Sequence, residues 1–301
     1  MCLVSLSTDT LQRILGDFGA IKFAKEIGCD AIDFNLCGND IANPESVYRK
    51  GEREALGYYT EIAEYAKSVG ILIHQTHGRL KGFTNDKEGN KTTLENARLD
   101  CLMTSALGAS YCVMHTASNI HIGKDAPAEL MDAVNDDMFF SIIPYAKEYG
   151  VAVATETLGD APNYGICNYF GNMDKFIAAY DRVASVGDNA DHFKVCMDTG
   201  HTNKAVRFGN NPTAEEAIRM LGSRIGCLHL NDNNGITDQH KIPYSACIDF
   251  DAVFRALSEI GYAGTYNMEI SLNHFGKDFE LEEAAFAVKC MKNIIKTKLG
   301  G

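Results

Sequence analysis

The sequence predicts a single (β/α)8 barrel of the TIM-barrel class that spans residues 1–301. Two observations lead to this class. Several segments end a helical pattern with glycine and enter a strand-like run within a few residues, and Gly28, Gly70, Gly108 and Gly150 follow one another at intervals of 42, 38 and 42 residues. Glycine suits the left-handed position that ends a helix. A unit of this length fits the chain nearly eight times, and eight strand–helix units favour a closed barrel over an open sheet.

Strand-like and helical patterns alternate along the whole chain. Strands are predicted near residues 2–6, 30–35, 71–76, 110–115, 151–156, 193–198, 225–231 and 265–270. Helical patterns fill the intervals, for example at 54–69, 129–149, 251–260 and 279–297. Strict alternation is typical of a parallel sheet with helices outside it. The chain has no linker-like tract and no shift in composition, so we expect one domain.

Charge and composition narrow the functional classes. The 40 acidic residues outnumber the 28 basic ones, which gives a net charge of −12. Such a charge does not attract a phosphate backbone, so we expect no nucleic-acid partner. The hydrophobic and charged fractions of 46% and 23% are those of an ordinary globular protein. No apolar run approaches the roughly 18 residues of a membrane span, so we also expect no membrane partner.

The cysteines indicate a reducing compartment. The chain has ten cysteines but no CxxC pair. Cys112, Cys196 and Cys227 fall inside apolar strand-like runs, as is typical of reduced core residues in a cytoplasmic protein. The start, MCLVSLSTDT, lacks the basic n-region of a signal peptide. We therefore expect a cytoplasmic protein, and we expect it to form a homo-oligomer.

Histidines gather at one end of the predicted barrel. Catalytic groups of such barrels lie at the C-terminal ends of the strands and in the loops that follow them. Eight of the nine histidines fall in these regions: His74, His77, His115, His121, His201, His229, His240 and His274. Carboxylates join them, since Glu156, Asp198 and Glu269 end the fifth, sixth and eighth strands.

Strand alternation predicts that four of these residues face the barrel interior. Successive side chains of a strand point to opposite faces. In the last four strands the larger apolar residues share one face, and the smaller residues share the other face with Glu156, Asp198, His229 and Glu269. Three carboxylates and a histidine that converge would repel one another without a cation. We therefore predict one divalent metal ion, with Mn²⁺ expected first and Mg²⁺, Co²⁺ or Zn²⁺ left open by the spacing.

Five further residues are candidates for the same site, namely His77, His115, His201, Asp238 and His240. His74 and His77 have opposite parity, so only one of them points inward, and the position of His77 beyond the apolar run, before Gly78, favours His77. Basic residues near the predicted mouth are candidates for binding a phosphate group: Arg79, Lys81, Lys204, Arg207 and Lys241. A free sugar and a sugar phosphate both stay open as substrates.

These residues resemble the xylose isomerase-like barrel family, which includes sugar and sugar-phosphate isomerases and epimerases, inosose dehydratases and endonuclease IV. The resemblance is carried by Glu156 in ATETLGD, Asp198 and His201 in CMDTGHTN, His229 in CLHLNDNNG, and Glu269 in YNMEI. It covers essentially the whole chain and is strongest from residue 150 onward. One departure follows His240, where the family often has a Pro-x-Gly-x-Gly-like turn and this chain has KIPYSACIDF.

The resemblance implies a role for each candidate residue. The metal would be held by Glu156, Asp198, His229 and Glu269. In ketose 3-epimerases the two glutamates also act as acid and base on opposite faces of the substrate. The remaining candidates, His77, His115, His201, Asp238 and His240, are assigned to substrate binding.

We therefore expect a divalent-metal-dependent isomerase or epimerase that acts on a small carbohydrate, by proton transfer through an enediolate between Glu156 and Glu269. A lyase on the same metal site is the first alternative, either a dehydratase or an elimination that cleaves a C-glycoside of a keto sugar. An endonuclease IV-like zinc phosphodiesterase is the second alternative. It is supported by a possible match to a trinuclear zinc set, formed by His115, Glu156, Asp198, His201, His229, Asp238, His240 and Glu269.

Overall fold

Eight parallel strands surround one axis in the computed structural model, which describes residues 2–299. They are β1 (Val4–Ser7), β2 (Ala31–Asn35), β3 (Leu72–His77), β4 (Tyr111–His115), β5 (Ala152–Glu156), β6 (Phe193–Asp198), β7 (Ile225–His229) and β8 (Tyr266–Met268). Each strand pairs with the next one along the chain from β1 to β7, and β8 pairs with β1. A parallel bridge between Leu230 and Met268 joins β7 to β8. The barrel is therefore closed, as the sequence predicts.

Helices follow the strands and lie outside the barrel. They are α1 (Asp9–Glu26), α2 (Glu52–Val69), α3 (Lys87–Ala106), α4 (Asn119–Ile122), α5 (Ala128–Tyr149), α6 (Met173–Ala184), α7 (Asn189–His192), α8 (Thr199–Ala205), α9 (Ala214–Leu221), α10 (Phe250–Glu259) and α11 (Glu280–Lys298). Between β5 and α6 the chain also forms a small antiparallel pair, Asp160–Ala161 with Ile166–Cys167. Between residues 2 and 299, no helix combines the length and the apolar character that a membrane crossing requires.

Glycines end the helices as the sequence predicts. Gly70 follows α2 with φ 72° and ψ 43°, and Gly150 follows α5 with φ 69° and ψ 30°. In both cases the glycine amide donates to carbonyl groups of the last helical turn. Because residues with a Cβ rarely adopt this left-handed conformation, glycine permits the sharp exit into the next strand.

Apolar side chains form an outer layer and an inner layer. The outer layer lies between strands and helices and includes Val153, Val195 and Leu228. The inner layer fills the barrel with small side chains: Val113, Ala154, Cys196 and Cys227. The predicted division of the strand faces is confirmed, since Ala154, Cys196 and Cys227 lie inside. The next inward residue of each strand therefore reaches the C-terminal mouth of the barrel.

Candidate metal centre

Four strand-end residues meet at the C-terminal mouth. Glu156, Asp198 and His229 are the last residues of β5, β6 and β7, and Glu269 directly follows β8. One side-chain ligand atom of each residue lies within 4.8 Å of those of the other three. The first three residues are fully buried, whereas the side chain of Glu269 is 19% exposed. The structure thus brings together the four residues that the sequence predicts as metal ligands.

Several buried atoms of this four-residue group have no hydrogen-bond partner and would suit the coordination of a cation. Nδ1 of His229 lies 3.3 Å from Oε1 of Glu156 and 3.3 Å from Oε2 of Glu269. Nδ1 of His229 and both carboxylate oxygens of Glu156 are nevertheless buried without a hydrogen-bond partner. Burying such groups without partners is costly. Oxygen and imidazole ligands at this spacing suit a divalent metal ion, which would satisfy these atoms together.

Two supporting side chains orient the ligand atoms, and neither of them is among the nine predicted site residues. Nε2 of His229 lies 3.1 Å from Oδ2 of Asp33 on β2, which leaves Nδ1 directed at the glutamates. Nδ2 of Asn231 donates to Oδ2 of Asp198 at 2.7 Å. Asp33 lies at an inward-facing position of β2, and this position was the only indication of its role in the sequence. Such partners fix the orientation of a metal ligand and tune its basicity.

The five predicted substrate contacts lie around the same group. His77 and His115 form a second ligand-like set with Glu156, and His201, Asp238 and His240 form a third set. Nε2 of His115 lies 3.2 Å from Oε2 of Glu156. Asp238 lies 3.5 Å from His201 and 3.4 Å from His240. All five residues therefore gather at the mouth with spacings that suit metal ligation, while their assignment to substrate binding stays a prediction.

Charges within the site shift the acid–base equilibria of its members. Burial lowers the pKa of His77, but the neighbouring carboxylates of Glu156 and Glu269 outweigh it and raise that pKa to about 9. The pKa of His240 is likewise raised to about 9, because Asp238 and Glu269 outweigh burial. Burial raises the pKa of Glu269, but His229 outweighs it and lowers that pKa to about 2. The carboxylate of Glu269 is therefore ionised at neutral pH.

Three of the eight histidines predicted near the mouth lie outside these sets. His74 packs its ring against Tyr111, with 5.5 Å between the ring centroids. His121 is exposed. His274 contacts Glu283 at 2.7 Å and the Gln239 carbonyl at 2.9 Å. His274 therefore connects α11 to the segment that carries Asp238 and His240.

The segment after His240 replaces the expected glycine turn with other residues in strained conformations. His240 and Tyr244 have φ angles of 43° and 72°, in the left-handed region that residues with a Cβ rarely occupy. The buried carboxylate of Asp232 accepts hydrogen bonds from the amides of residues 246, 247 and 248. These bonds hold the segment in place although it contains no glycine.

A cavity of about 310 Å³ opens beside the four-residue group. It is lined by Ser7, Asp9, Thr10, Asp33, Asn35, Cys37, His77, Leu80, His240, Glu269, Ile270 and Ser271. A larger cavity of about 530 Å³ lies elsewhere, between residues 241–245 and α11. The smaller cavity is the better candidate for substrate, because Glu269 and His77 border it and none of the nine predicted site residues lines the larger one.

Curated relatives align with only part of the chain. An uncharacterized protein of Methanocaldococcus jannaschii is 26% identical over 67% of this chain, and probable endonuclease 4 of Pediococcus pentosaceus is 26% identical over 57% of it. This chain spans only 64% and 54% of the length of those two relatives. D-psicose 3-epimerase of Enterocloster bolteae is 23% identical over 79% of this chain and 73% of its own length.

Solved structures share the fold over nearly the full chain. The zinc-bound IOLI protein superimposes with a TM-score of 0.73 and 18% identity, covering 98% of this chain and 99% of its own. An L-ribulose 3-epimerase superimposes with a TM-score of 0.73 and 17% identity, covering 99% of this chain and 96% of its own. The sequence model that describes the xylose isomerase-like TIM barrel matches residues 21–294, and the chain therefore belongs to that family.

Proposed function

We propose that this protein is a divalent-metal-dependent isomerase or epimerase of a small carbohydrate. One observation carries the proposal: Glu269 belongs to the four-residue ligand group and also borders the 310 Å³ cavity. A substrate in that cavity would therefore lie against a carboxylate and beside a bound cation at the same time. The resemblance to epimerases in sequence and fold supports the same conclusion.

The chemistry follows from the positions of the two glutamates. A bound divalent cation would stabilise the negative charge that develops on the substrate oxygen when a proton leaves the adjacent carbon. Glu269 lies at the cavity and would take or return that proton. Glu156 lies across the ligand group as the second acid–base residue. His77 stands between the two glutamates, 3.5 Å from Glu156 and 3.4 Å from Glu269.

The cavity suits a small polyhydroxylated molecule. Its volume of about 310 Å³ is near the lower end of the range for ligand sites. Ser7, Thr10, Asn35 and Ser271 supply hydroxyl and amide groups along its wall. Such groups exchange hydrogen bonds with sugar hydroxyls in either direction. We therefore propose a monosaccharide-sized substrate.

A panel of ketoses and phosphorylated ketoses, incubated with the protein and Mn²⁺, tests the proposal. Chromatography combined with mass spectrometry should find a product of the same mass as its substrate. A product lighter by one water would support a lyase on the same site. Absence of any conversion across the panel, with metal binding verified, would contradict the proposed function.

A second candidate is a metal-dependent phosphodiesterase of the endonuclease 4 type. The specific observation in its favour is that the nine site residues form four ligand-like sets, two of which share Glu156. The similarity to a probable endonuclease 4 agrees with it. The net charge of −12 weighs against a DNA duplex as substrate. Cleavage of a fluorescent duplex with one abasic site, in the presence of Zn²⁺, would establish this candidate.

A further inference from the structure

The third set, formed by His201, Asp238 and His240, has ligand atoms that suit a metal ion of its own. Nε2 of His201 and Nε2 of His240 lie 3.5 Å and 3.4 Å from the same oxygen of Asp238, Oδ2. Two imidazole nitrogens and one carboxylate oxygen are ligands that Zn²⁺ readily accepts. Taken alone, these three side chains would therefore predict a second cation beside the four-residue group.

A lysine contacts the other oxygen of the same carboxylate. Nζ of Lys204 lies 3.3 Å from Oδ1 of Asp238 and 2.9 Å from Oδ1 of Asp160. Lys204 is only 4% exposed, so little water screens its ammonium group. The protein thus holds a positive charge of its own at the carboxylate that a second cation would need.

The fold fixes this ammonium group in place. Lys204 follows His201 by three residues on α8, and residues three apart lie on the same face of a helix. A Cβ at Gly159 would lie 2.7 Å from the carbonyl oxygen of His201 and 3.3 Å from Cβ of Lys204. Glycine therefore lets the segment that carries Asp160 approach α8 closely. Arg207 pairs with the second oxygen of Asp160 and holds it from the other side.

The four-residue group has a different charge balance. Among residues 2–299, its three carboxylates form ion pairs with histidines only. Asp238, in contrast, pairs with Lys204, and Asp160 pairs with both Lys204 and Arg207. A divalent ion would meet three carboxylates without a lysine or arginine partner in the four-residue group, and none in the third set.

We propose that Lys204 takes the place of a cation at the third set and prevents a second metal ion from binding there. An ion bound to Oδ2 of Asp238 would share one carboxylate with the ammonium group, and like charges at such short range repel more strongly within a protein than in bulk water. Lys204 therefore determines the number of metal ions at the mouth. The inference concerns metal binding and stands independently of the proposed isomerase or epimerase function.

Titration calorimetry of the full-length, metal-free protein with Zn²⁺, combined with elemental analysis after dialysis, tests the proposal. Lys204→Met removes the charge at similar side-chain length, and Asp160 keeps Arg207 as its partner. We expect this variant to bind one more zinc ion per chain than the unaltered protein, as an affinity of the third set raised by roughly tenfold or more would produce. Equal stoichiometry and equal affinities in the two proteins would overturn the inference.

Asp238→Asn locates the additional ion. Combined with Lys204→Met, it should abolish the additional zinc, and an ion that persists in the double variant would overturn the assignment to the third set. Introduced alone, Asp238→Asn should leave the number of bound zinc ions unchanged. Loss of an ion from that single variant would show that the third set binds metal despite Lys204, and this result also overturns the inference.

Two control variants separate charge from position. Lys204→Arg keeps the positive charge, and Arg207→Gln removes a charge that contacts Asp160 but not Asp238. Both should bind as many zinc ions as the unaltered protein, and an additional ion in either would show that the charge of Lys204 is not what excludes it. Circular dichroism verifies the fold of each variant. Lys204→Gln, which keeps a hydrogen-bond donor, replaces Lys204→Met if the methionine variant does not fold.

Discussion

Nε2 of His229 lies 3.1 Å from Oδ2 of Asp33, and both side chains are buried in the barrel. A carboxylate in this position can accept the Nε2 proton, and loss of the Nδ1 proton then leaves the Nδ1 lone pair free for an ion. That lone pair faces Glu156 and Glu269, each 3.3 Å away. The contact therefore prepares His229 to act as a metal ligand before any ion arrives.

Replacing Asp33 with asparagine should weaken metal binding by about 10- to 100-fold, because the partner loses its charge while its shape is kept. Calorimetric titration with Mn²⁺ measures the change directly. Asp30→Asn is a matched control, since Asp30 lies just before the same strand and pairs with Lys292 at 3.0 Å. Equal affinity in the Asp33 variant and the unaltered protein would show that Asp33 does not orient His229.

Replacing Glu269 with glutamine should lower turnover by about 10²- to 10⁴-fold, the usual contribution of a general acid–base group. Metal binding should weaken only in part, because Glu156, Asp198 and His229 remain. If Glu269 is the residue that returns the proton, the variant can still remove it. In D₂O the substrate should then exchange this proton for deuterium without net conversion to product. Glu259→Gln controls for the substitution itself, since Glu259 pairs with Arg219 on the surface.

The mirror variant, Glu156→Gln, should show exchange only when the reaction starts from the product. The reason is that, in the proposed mechanism, each glutamate serves one face of the substrate. Mass spectrometry of both sugars recovered from D₂O distinguishes the two directions. If either glutamine variant keeps near-native turnover with metal saturated, the two-glutamate mechanism is wrong, and a histidine such as His115 or His201 becomes the preferred base.

Elemental analysis after dialysis should find one tightly held metal ion per chain. The four-residue group leaves buried atoms without partners, and a cation would satisfy them. The side chains of the set His201, Asp238 and His240, by contrast, already contact other groups of the protein. Nδ1 of His240 contacts the Glu269 carbonyl at 3.0 Å, and Asp238 contacts Lys204 at 3.3 Å. Three tightly bound zinc ions per chain would instead favour the phosphodiesterase.

The metal-free protein should lose stability as the pH rises from about 6.5 through about 9. The pKa values of His77 and His240 are raised from 6.5 to about 9 in the folded state, so the folded state holds these protons more tightly than the unfolded chain. Their contribution is complete below pH 6.5 and is lost as the folded groups deprotonate. Thermal unfolding of the metal-free protein between pH 6 and 10 measures this trend.

The variant His77→Gln should flatten this decline, because one of the histidines that lose a proton near pH 9 is gone. The metal affinity of the unaltered protein should rise with pH over the same interval, in contrast to the stability of the metal-free protein. The reason is that protons compete with the metal ion for histidine. A melting temperature that stays constant or rises with pH in the metal-free protein would contradict this account of the site.

The barrel fold and the meeting of the four strand-end residues at one mouth could be predicted from the sequence alone. Both depend on local regularities. Gly70 and Gly150 end helices in the left-handed conformation, which glycine adopts readily because it has no Cβ. The inward position of Glu156 follows from the period of two along a strand, counted from Ala154, and the C-terminal ends of parallel strands must meet at one mouth.

Only the tertiary structure decided which side chains are partners. His229 and Asp33 are 196 residues apart, and nothing in the period of either strand pairs them. Lys204 is a cationic candidate for binding phosphate, but its contacts with Asp160 and Asp238 form only when helix α8 and the segments that carry the two aspartates meet at the mouth. The physical reason is sequence separation. Helix ends and strand faces depend on residues that lie only a few positions apart in the chain. Charge balance and hydrogen-bond partnership depend on distances between segments that only the closed barrel brings together.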